Sequence, residues 1–271
     1  MPDTGVAAGP QHIAAAFSGH GRRAALMPYL MGGFPDLPAS LEVGRAYVDA
    51  GADLVELGVP FSDPLADGPA IQAAGHRALA GGATLEHVLE EVAAPLSERV
   101  PVVLMCYANP ILARGLDAVA ASLAGHGVSG LIVPDLPAAE AAELRAACDR
   151  AGVALVPLVA PTTPPDEARR IAHAARGFVY VVSVTGVTGE RTALPPELGA
   201  VVERVRGAAS VPAAVGFGVG TPEQAAEVGR IADGVIVGSR LVRAIAAAET
   251  LDRGLDDVRD FLGRAARMLS G

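Results

Sequence analysis

Eight short apolar runs recur along the chain, each followed by polar or amphipathic sequence, and this alternation restricts the fold more than any other feature. The runs are ALMPYLM (25–31), DLVELGV (53–59), VVLMCYA (102–108), GLIVPD (130–135), ALVPLVA (154–160), FVYVVSV (178–184), AAVGFGV (213–219) and GVIVGS (234–239). Between them lie helical patterns such as SLEVGRAYVDAG, TLEHVLEEVAAPL, AAEAAELRAACDRAG and TPEQAAEVGRIA. Ser, Thr or Pro stands near their starts and Gly near several of their ends, as helix boundaries require. Strands that are apolar on both faces and joined by helices imply a parallel sheet covered on its outside.

Eight strand–helix units in 271 residues match an α/β fold of the (β/α)8 TIM-barrel type, for which roughly 250 residues is usual. The alternative, an open doubly wound sheet, often carries a GxGxxG fingerprint after its first strand, and none is present. Residues 11–20 read as an extra N-terminal helix and 252–269 as a closing amphipathic helix. With no linker, low-complexity tract or domain break, residues 1–271 are expected to form a single barrel domain.

Composition removes several functions. A net charge of -9 argues against nucleic acid or an anionic membrane as partner, since both call for basic patches. No window of eighteen residues is free of polar interruption, so no transmembrane helix is expected. Cys106 and Cys148 are isolated, and the N-terminus lacks the pattern of a signal peptide, which together suggest a reducing, cytoplasmic setting. All 21 basic residues are Arg. Without Lys the chain can form no lysine Schiff base, which excludes a lysine-dependent aldolase, covalent pyridoxal phosphate and a Walker-type phosphate loop. The six histidines fall on helices, helix ends or the N-terminal segment, so metal chemistry has no cluster to rest on.

In a barrel of this kind the reactive end is built at the C-terminal ends of the strands. Two connections there read as lids or binding loops: Pro60 to about Ala83 after the second run, and TGVTGERTALPP after the sixth. Glycines in GFGVGTPEQ, and Gly238 with Ser239 at the start of a helix, offer backbone N–H groups to an anion, which favours a phosphorylated small-molecule substrate. Period-two alternation puts Leu54, Glu56 and Gly58 on one face of the second strand and Val55, Leu57 and Val59 on the other. The apolar set suits the helix-covered outside, so Glu56 points into the barrel, where burial raises its pKa. None of the strand runs contains an Arg to neutralise it. Asp67, in Asp-Gly-Pro, reads alone as a turn residue; beside Glu56 it becomes the candidate second carboxylate of a proton-transfer pair. Asp63 reads as a loop residue.

The stretch VELGVPFSDPLADGPAIQ resembles the strand-2 signature of the tryptophan synthase α-subunit family. MPYLMGGFPD, LMCYANP, VPDLP, SVTGVTG, GFGV and VGS follow in that family's order, so the resemblance spans essentially the whole barrel. It implies a lyase that cleaves indole-3-glycerol phosphate into indole and glyceraldehyde 3-phosphate, a step of L-tryptophan biosynthesis, without metal or Schiff base. It places the catalytic residues on Glu56 and Asp67, the first as general acid–base and the second as hydrogen-bond acceptor for the indole N–H. It places the phosphate grip on Gly189, Gly218, Gly238 and Ser239, a lid threonine on Thr188, and the indole pocket on Tyr29, Met105, Tyr107, Ile132, Tyr180 and Phe217. It also implies a partner β subunit that carries pyridoxal phosphate, in an α2β2 heterotetramer, with the loop around Pro60 and Asp63 facing it. Two alternatives stand beside this reading: a free-standing lyase that releases indole, and a non-catalytic barrel that activates a β subunit. The presence of both Glu56 and Asp67 opposes the second.

Overall fold

The computed structural model describes residues 9–182, 197–216 and 218–270. Its strands are β1 (Ala25–Met31), β2 (Val55–Gly58), β3 (Val102–Met105), β4 (Gly130–Ile132), β5 (Ala154–Leu155), β6 (Leu158–Val159), β7 (Val179–Val182), β8 (Ala213–Gly216) and β9 (Gly234–Val237). They form one sheet in the order β5-β4-β3-β2-β1-β9-β8-β7-β6, and each ladder is parallel. β5 and β6 stand at the two ends of that order, yet only Val156 and Pro157 separate them in the chain. One short segment therefore joins both ends, and the sheet closes into a barrel.

The single run expected at 154–160 is thus two strands, and Pro157 is the reason. The Val156 N–H donates to the Leu131 carbonyl at 2.9 Å, and the Pro157 carbonyl accepts from the Tyr180 N–H at 3.0 Å. Pro157 has no N–H to return to β7, so the ladder breaks there.

The helices are α1 (Gly9–Ser18), α2 (Leu37–Asp49), α3 (Pro69–Ala80), α4 (Leu85–Val88), α5 (Ala94–Ser97), α6 (Ala108–Arg114), α7 (Leu116–Gly125), α8 (Ala142–Ala151), α9 (Pro165–Ala174), α10 (Leu198–Arg206), α11 (Pro222–Gly229), α12 (Ser239–Ala247) and α13 (Leu251–Leu269). A π-helical turn, Leu89–Ala93, makes α4 and α5 one continuous element. It precedes Pro95, which lacks the N–H that an α-helical turn would use. The connection expected as a loop from Pro60 to Ala83 is largely α3. That helix buries only Ile71, Ala74, Gly75 and Ala78, a face too small to give a clear apolar period in the sequence.

Period-two alternation sorts the strand side chains. Met27, Leu54, Val103, Ile132, Phe178, Ala214 and Ile236 fill the barrel, while Leu26, Val55, Leu57, Leu104, Leu131 and Val215 pack under the helices. At the N-terminal end of the barrel α1 acts as a floor. Ile13 is fully buried there, and the Phe17 and Phe178 rings meet at 5.7 Å. Gly130 and Gly177 make the room: a Cβ at either would lie 3.1 or 3.0 Å from Ile13 Cδ1. At the same end, Asp53 Oδ2 accepts from the Leu26 N–H at 2.7 Å and from Arg22, which also reaches the Gly51 carbonyl at 3.0 Å. This clip joins β1 to β2. Asp233 does the same for β8 and β9, accepting from the Ala213 N–H at 2.9 Å.

Truncating the floor tests its contribution. Ile13→Ala is expected to lower unfolding free energy by about 2–5 kcal/mol, as for other buried Ile truncations, measured by urea denaturation. Turnover by the native fraction should be unchanged, because Ile13 lies at the end of the barrel opposite the candidate site.

Candidate active site

Glu56 lies in β2 with Tyr29 of β1 as its register partner on one side and Val103 of β3 on the other. Its side chain points inward, as the alternation requires, and the residue is 2% exposed. Its Oε2 is buried with no hydrogen-bond partner. A carboxylate removed from water without a donor is costly, so the neutral form is favoured. Burial, reinforced by the negative charge of Asp67, raises the Glu56 pKa from 4.5 to about 8.

Tyr29, Tyr107 and Tyr180 surround the carboxylates. Burial first, and then Asp67 and Glu56, hold the Tyr29 hydroxyl well above its ordinary range. Burial and the same two carboxylates do so for Tyr180. Burial and then Asp67 raise the Tyr107 hydroxyl as well, so all three tyrosines favour the neutral form. Two strand glycines make space for two of them. A Cβ on Gly58 would sit 2.0 Å from the Tyr29 hydroxyl oxygen, and one on Gly216 would sit 2.4 Å from that of Tyr180. Each ring thus lies across the neighbouring strand at a point where only a bare Cα leaves room.

Asp67 is carried not by a strand but by the turn between β2 and α3. The Asp67 N–H closes that turn on the Pro64 carbonyl at 3.1 Å. The Ala66 N–H donates to the Tyr107 hydroxyl at 3.0 Å, and the Phe61 ring stacks on Tyr107 at 5.0 Å with a 22° tilt. Partial burial lifts the Asp67 pKa to about 6, against the lowering effect of a hydrogen bond from Tyr107. Tyr107, expected only as pocket wall, therefore also anchors the loop that carries the second carboxylate. Gln72 of α3 donates to the carbonyls of Asp67, at 2.9 Å, and Pro64, at 3.3 Å. No role for it was legible in the sequence beyond its place at the end of the VELGVPFSDPLADGPAIQ stretch.

The remaining candidates divide. Met105 is the register partner of both Gly58 and Ile132; it is partly exposed, whereas Ile132 has no exposed surface and meets the site through Met105. Gly218 has φ +69°, a backbone that favours glycine. Gly238 caps the N-terminus of α12, and its bare Cα faces Tyr29, 3.7 Å from a Cβ built there to that of the tyrosine. Ser239 is the first residue of α12 and is 8% exposed. Thr188, Gly189 and Phe217 lie outside the described residues. Among the described residues no three His, Cys, Asp or Glu side chains are grouped to hold a metal ion, and no helix is long and apolar enough to cross a membrane.

The chemistry follows from the two displaced carboxyl groups. With Glu56 raised to about 8 and Asp67 to about 6, Glu56 favours the protonated form and Asp67 the ionised form over the range between them, which pairs a proton donor with a negative charge. Pairs of titratable groups pushed apart in this way serve as acid and base in one site.

A family model described as tryptophan synthase alpha chain matches residues 17–268. The tryptophan synthase alpha chain of Roseiflexus sp. (strain RS-1) is 50% identical over 246 residues, covering 89% of this chain and 94% of that protein. That of Citrifermentans bemidjiense is 52% identical over 221 residues, 81% of this chain and 82% of that one. Among solved structures, Mycobacterium tuberculosis tryptophan synthase superimposes with a TM-score of 0.85 at 38% identity, covering 96% of this chain and 98% of that one. The tryptophan synthase subunit alpha of Legionella pneumophila gives 0.86 at 32% identity, with 97% and 99% covered. A chain of the tryptophan synthase α2β2 complex of Pyrococcus furiosus gives 0.83 at 34% identity, with 90% and 98% covered. With a fold, a strand-2 signature and a matched length all in agreement, the chain belongs to the tryptophan synthase alpha chain family.

Proposed function

We propose that the chain cleaves indole-3-glycerol phosphate to indole and glyceraldehyde 3-phosphate, with Glu56 and Asp67 as its catalytic pair. The observation that carries this reading is the buried, unpartnered Glu56, coupled electrostatically to Asp67 and to the Tyr29 and Tyr180 hydroxyls, with Tyr107 hydrogen-bonded to Asp67. Protonated Glu56 gives its proton to C3 of the indole, leaving positive charge on the ring. Ionised Asp67 accepts a hydrogen bond from the ring N–H and stabilises that charge in a site shielded from water. The Glu56 carboxylate then takes the proton of the hydroxyl on the carbon attached to C3. The bond between that carbon and C3 breaks, its electron pair returns to the ring, and the hydroxyl carbon becomes the aldehyde. Glu56 ends the cycle protonated, so no proton is gained or lost.

The phosphate would be held by backbone N–H groups at Gly218 and Gly238 and by Ser239 at the start of α12, with Gly189 contributed by the sixth connection and Thr188 as its lid threonine. No lysine is available for a Schiff base, so pyridoxal phosphate belongs to a partner β subunit and the chain itself works without a cofactor. The Pyrococcus furiosus relative assembles as an α2β2 complex, and we extend that assembly to this chain. Leu65, on the β2–α3 turn, and Leu112, on α6, are large apolar side chains left 93% and 61% exposed, as residues that meet a partner are. The net charge of -9, together with the lack among the described residues of a helix able to span a membrane, fits a cytoplasmic enzyme that engages neither nucleic acid nor membrane.

Glu56→Gln should lower indole release by more than about 10³-fold, within the usual range for loss of a general acid; retained turnover would remove Glu56 from the mechanism. The same variant should be more stable than the parent at alkaline pH. Between 4.5 and about 8 the folded protein binds a proton at Glu56 that the unfolded chain releases, so parent stability falls as pH rises through this window. Gln cannot ionise and escapes that loss, which thermal melts at pH 5 and pH 9 would show. In the parent, kcat/KM should decline above about pH 8 as Glu56 ionises; a profile flat to pH 9.5 would oppose an acid role. Leu112→Glu should weaken association with a tryptophan synthase β subunit roughly tenfold or more while leaving the rate of the isolated chain unchanged, read by sedimentation and by indole release.

A further inference from the structure

Asp67 must be held in place, and the loop that carries it has little else to hold it. Ser62, Asp63, Leu65 and Ala66 are all exposed and no residue from 61 to 67 is fully buried; the Phe61 ring, stacked on Tyr107, is the segment's aromatic contact. A charged group that stabilises a transition state loses most of its effect when displaced by about 1 Å, at a cost that can reach ~10²-fold in rate. Two side chains reach into the turn. Tyr107 binds the Ala66 N–H from one side at 3.0 Å. From the other, Gln72 donates to the carbonyls of Asp67 and Pro64, 2.9 and 3.3 Å away. The amide has two N–H donors, and both neighbours are carbonyls, so its nitrogen must face them. Pro64 O then accepts twice, from Gln72 and from the Asp67 N–H at 3.1 Å. The arrangement follows from the helix: Gln72 lies in the first turn of α3, and helical side chains lean toward the N-terminus, where the turn lies.

We infer that Gln72 is the positioning residue for Asp67, its amide clamping the Pro64–Asp67 turn so that the carboxylate stays beside Tyr107 and opposite Glu56. This deepens the reading above and rests on Asp67 being the second catalytic carboxylate. Gln72 touches no reacting atom in it. Its contribution passes through the backbone of the turn and then through Asp67.

The test is a double-mutant cycle on indole release from indole-3-glycerol phosphate, using the full chain. Gln72→Leu, of similar size but without donors, should lower kcat roughly 10- to 100-fold and change KM less than about threefold, because the phosphate is held elsewhere. In an Asp67→Asn background, measured by single turnover at high enzyme concentration, the same change should cost less than about twofold, since the group it positions is already gone. The 13C titration of the Asp67 carboxyl gives a second readout. Released from the turn, the group becomes solvated and should titrate below the parent value of about 6. Parent-like kcat in Gln72→Leu would overturn the inference, as would an equal loss in both backgrounds, which marks a purely structural role. If Gln72→Leu unfolds, as judged by thermal melting, Gln72→Met replaces it with the same expectations. A parent chain that releases no indole would overturn the functional reading and this inference together, whereas an active parent with an indifferent Gln72 would overturn the inference alone.

Discussion

At the floor of the barrel Asp53 accepts hydrogen bonds from the Leu26 N–H and from Arg22, and this clip holds β1 against β2 in a single register. That register sets Tyr29 opposite Glu56. Because the side-chain period of a strand is two, a slip of one residue would turn Glu56 toward the helices and bring Val55 or Leu57 into the cavity. The other ladders inherit the same constraint, since closure through β5 and β6 leaves no free edge at which a mismatch could be absorbed. The reactive end of the molecule is therefore placed by contacts at the opposite end.

The two ends treat carboxylates differently. At the floor Asp53 and Asp233 each accept a backbone N–H, and Arg22 is shared between Asp53 and the Gly51 carbonyl. At the upper end the Glu56 Oε2 is left unpaired, and the Tyr107 hydroxyl serves Asp67 and the Ala66 N–H instead. Unsatisfied burial of this kind lowers stability, and proteins commonly accept such losses at a site that needs them. The α1 floor, packed around Ile13 and the two Phe rings, supplies apolar burial where no chemistry competes for the space.

The parts of this arrangement visible in the sequence were those governed by local periodicity. The run at 25–31 is β1 residue for residue, and the alternation in 53–59 aimed Glu56 inward because each neighbour obeyed it. The run at 154–160 reads as one element because its apolar pattern is unbroken, whereas Pro157 acts on hydrogen bonds that pattern does not record. α3 was hidden by small residues: Ala and Gly pack closely without giving a strong apolar stripe. The tertiary duties of Tyr107 and Gln72 were not legible, because both act on a turn 41 and five or more residues away, respectively, through single hydrogen bonds. Asp67 is the intermediate case. Its turn chemistry was plain from Asp-Gly-Pro, and only the fold shows that the turn brings it beside Tyr107 and Glu56.

Gly58 and Gly216 make room for the Tyr29 and Tyr180 rings. A Cβ at either position would overlap the phenol beside it, so a methyl group there would force that ring to move. The two positions thus fix where the two rings can lie through a missing side chain rather than through a contact. Exchanging hydrogen for methyl on either strand would displace a phenol while leaving both carboxyl groups unaltered in sequence.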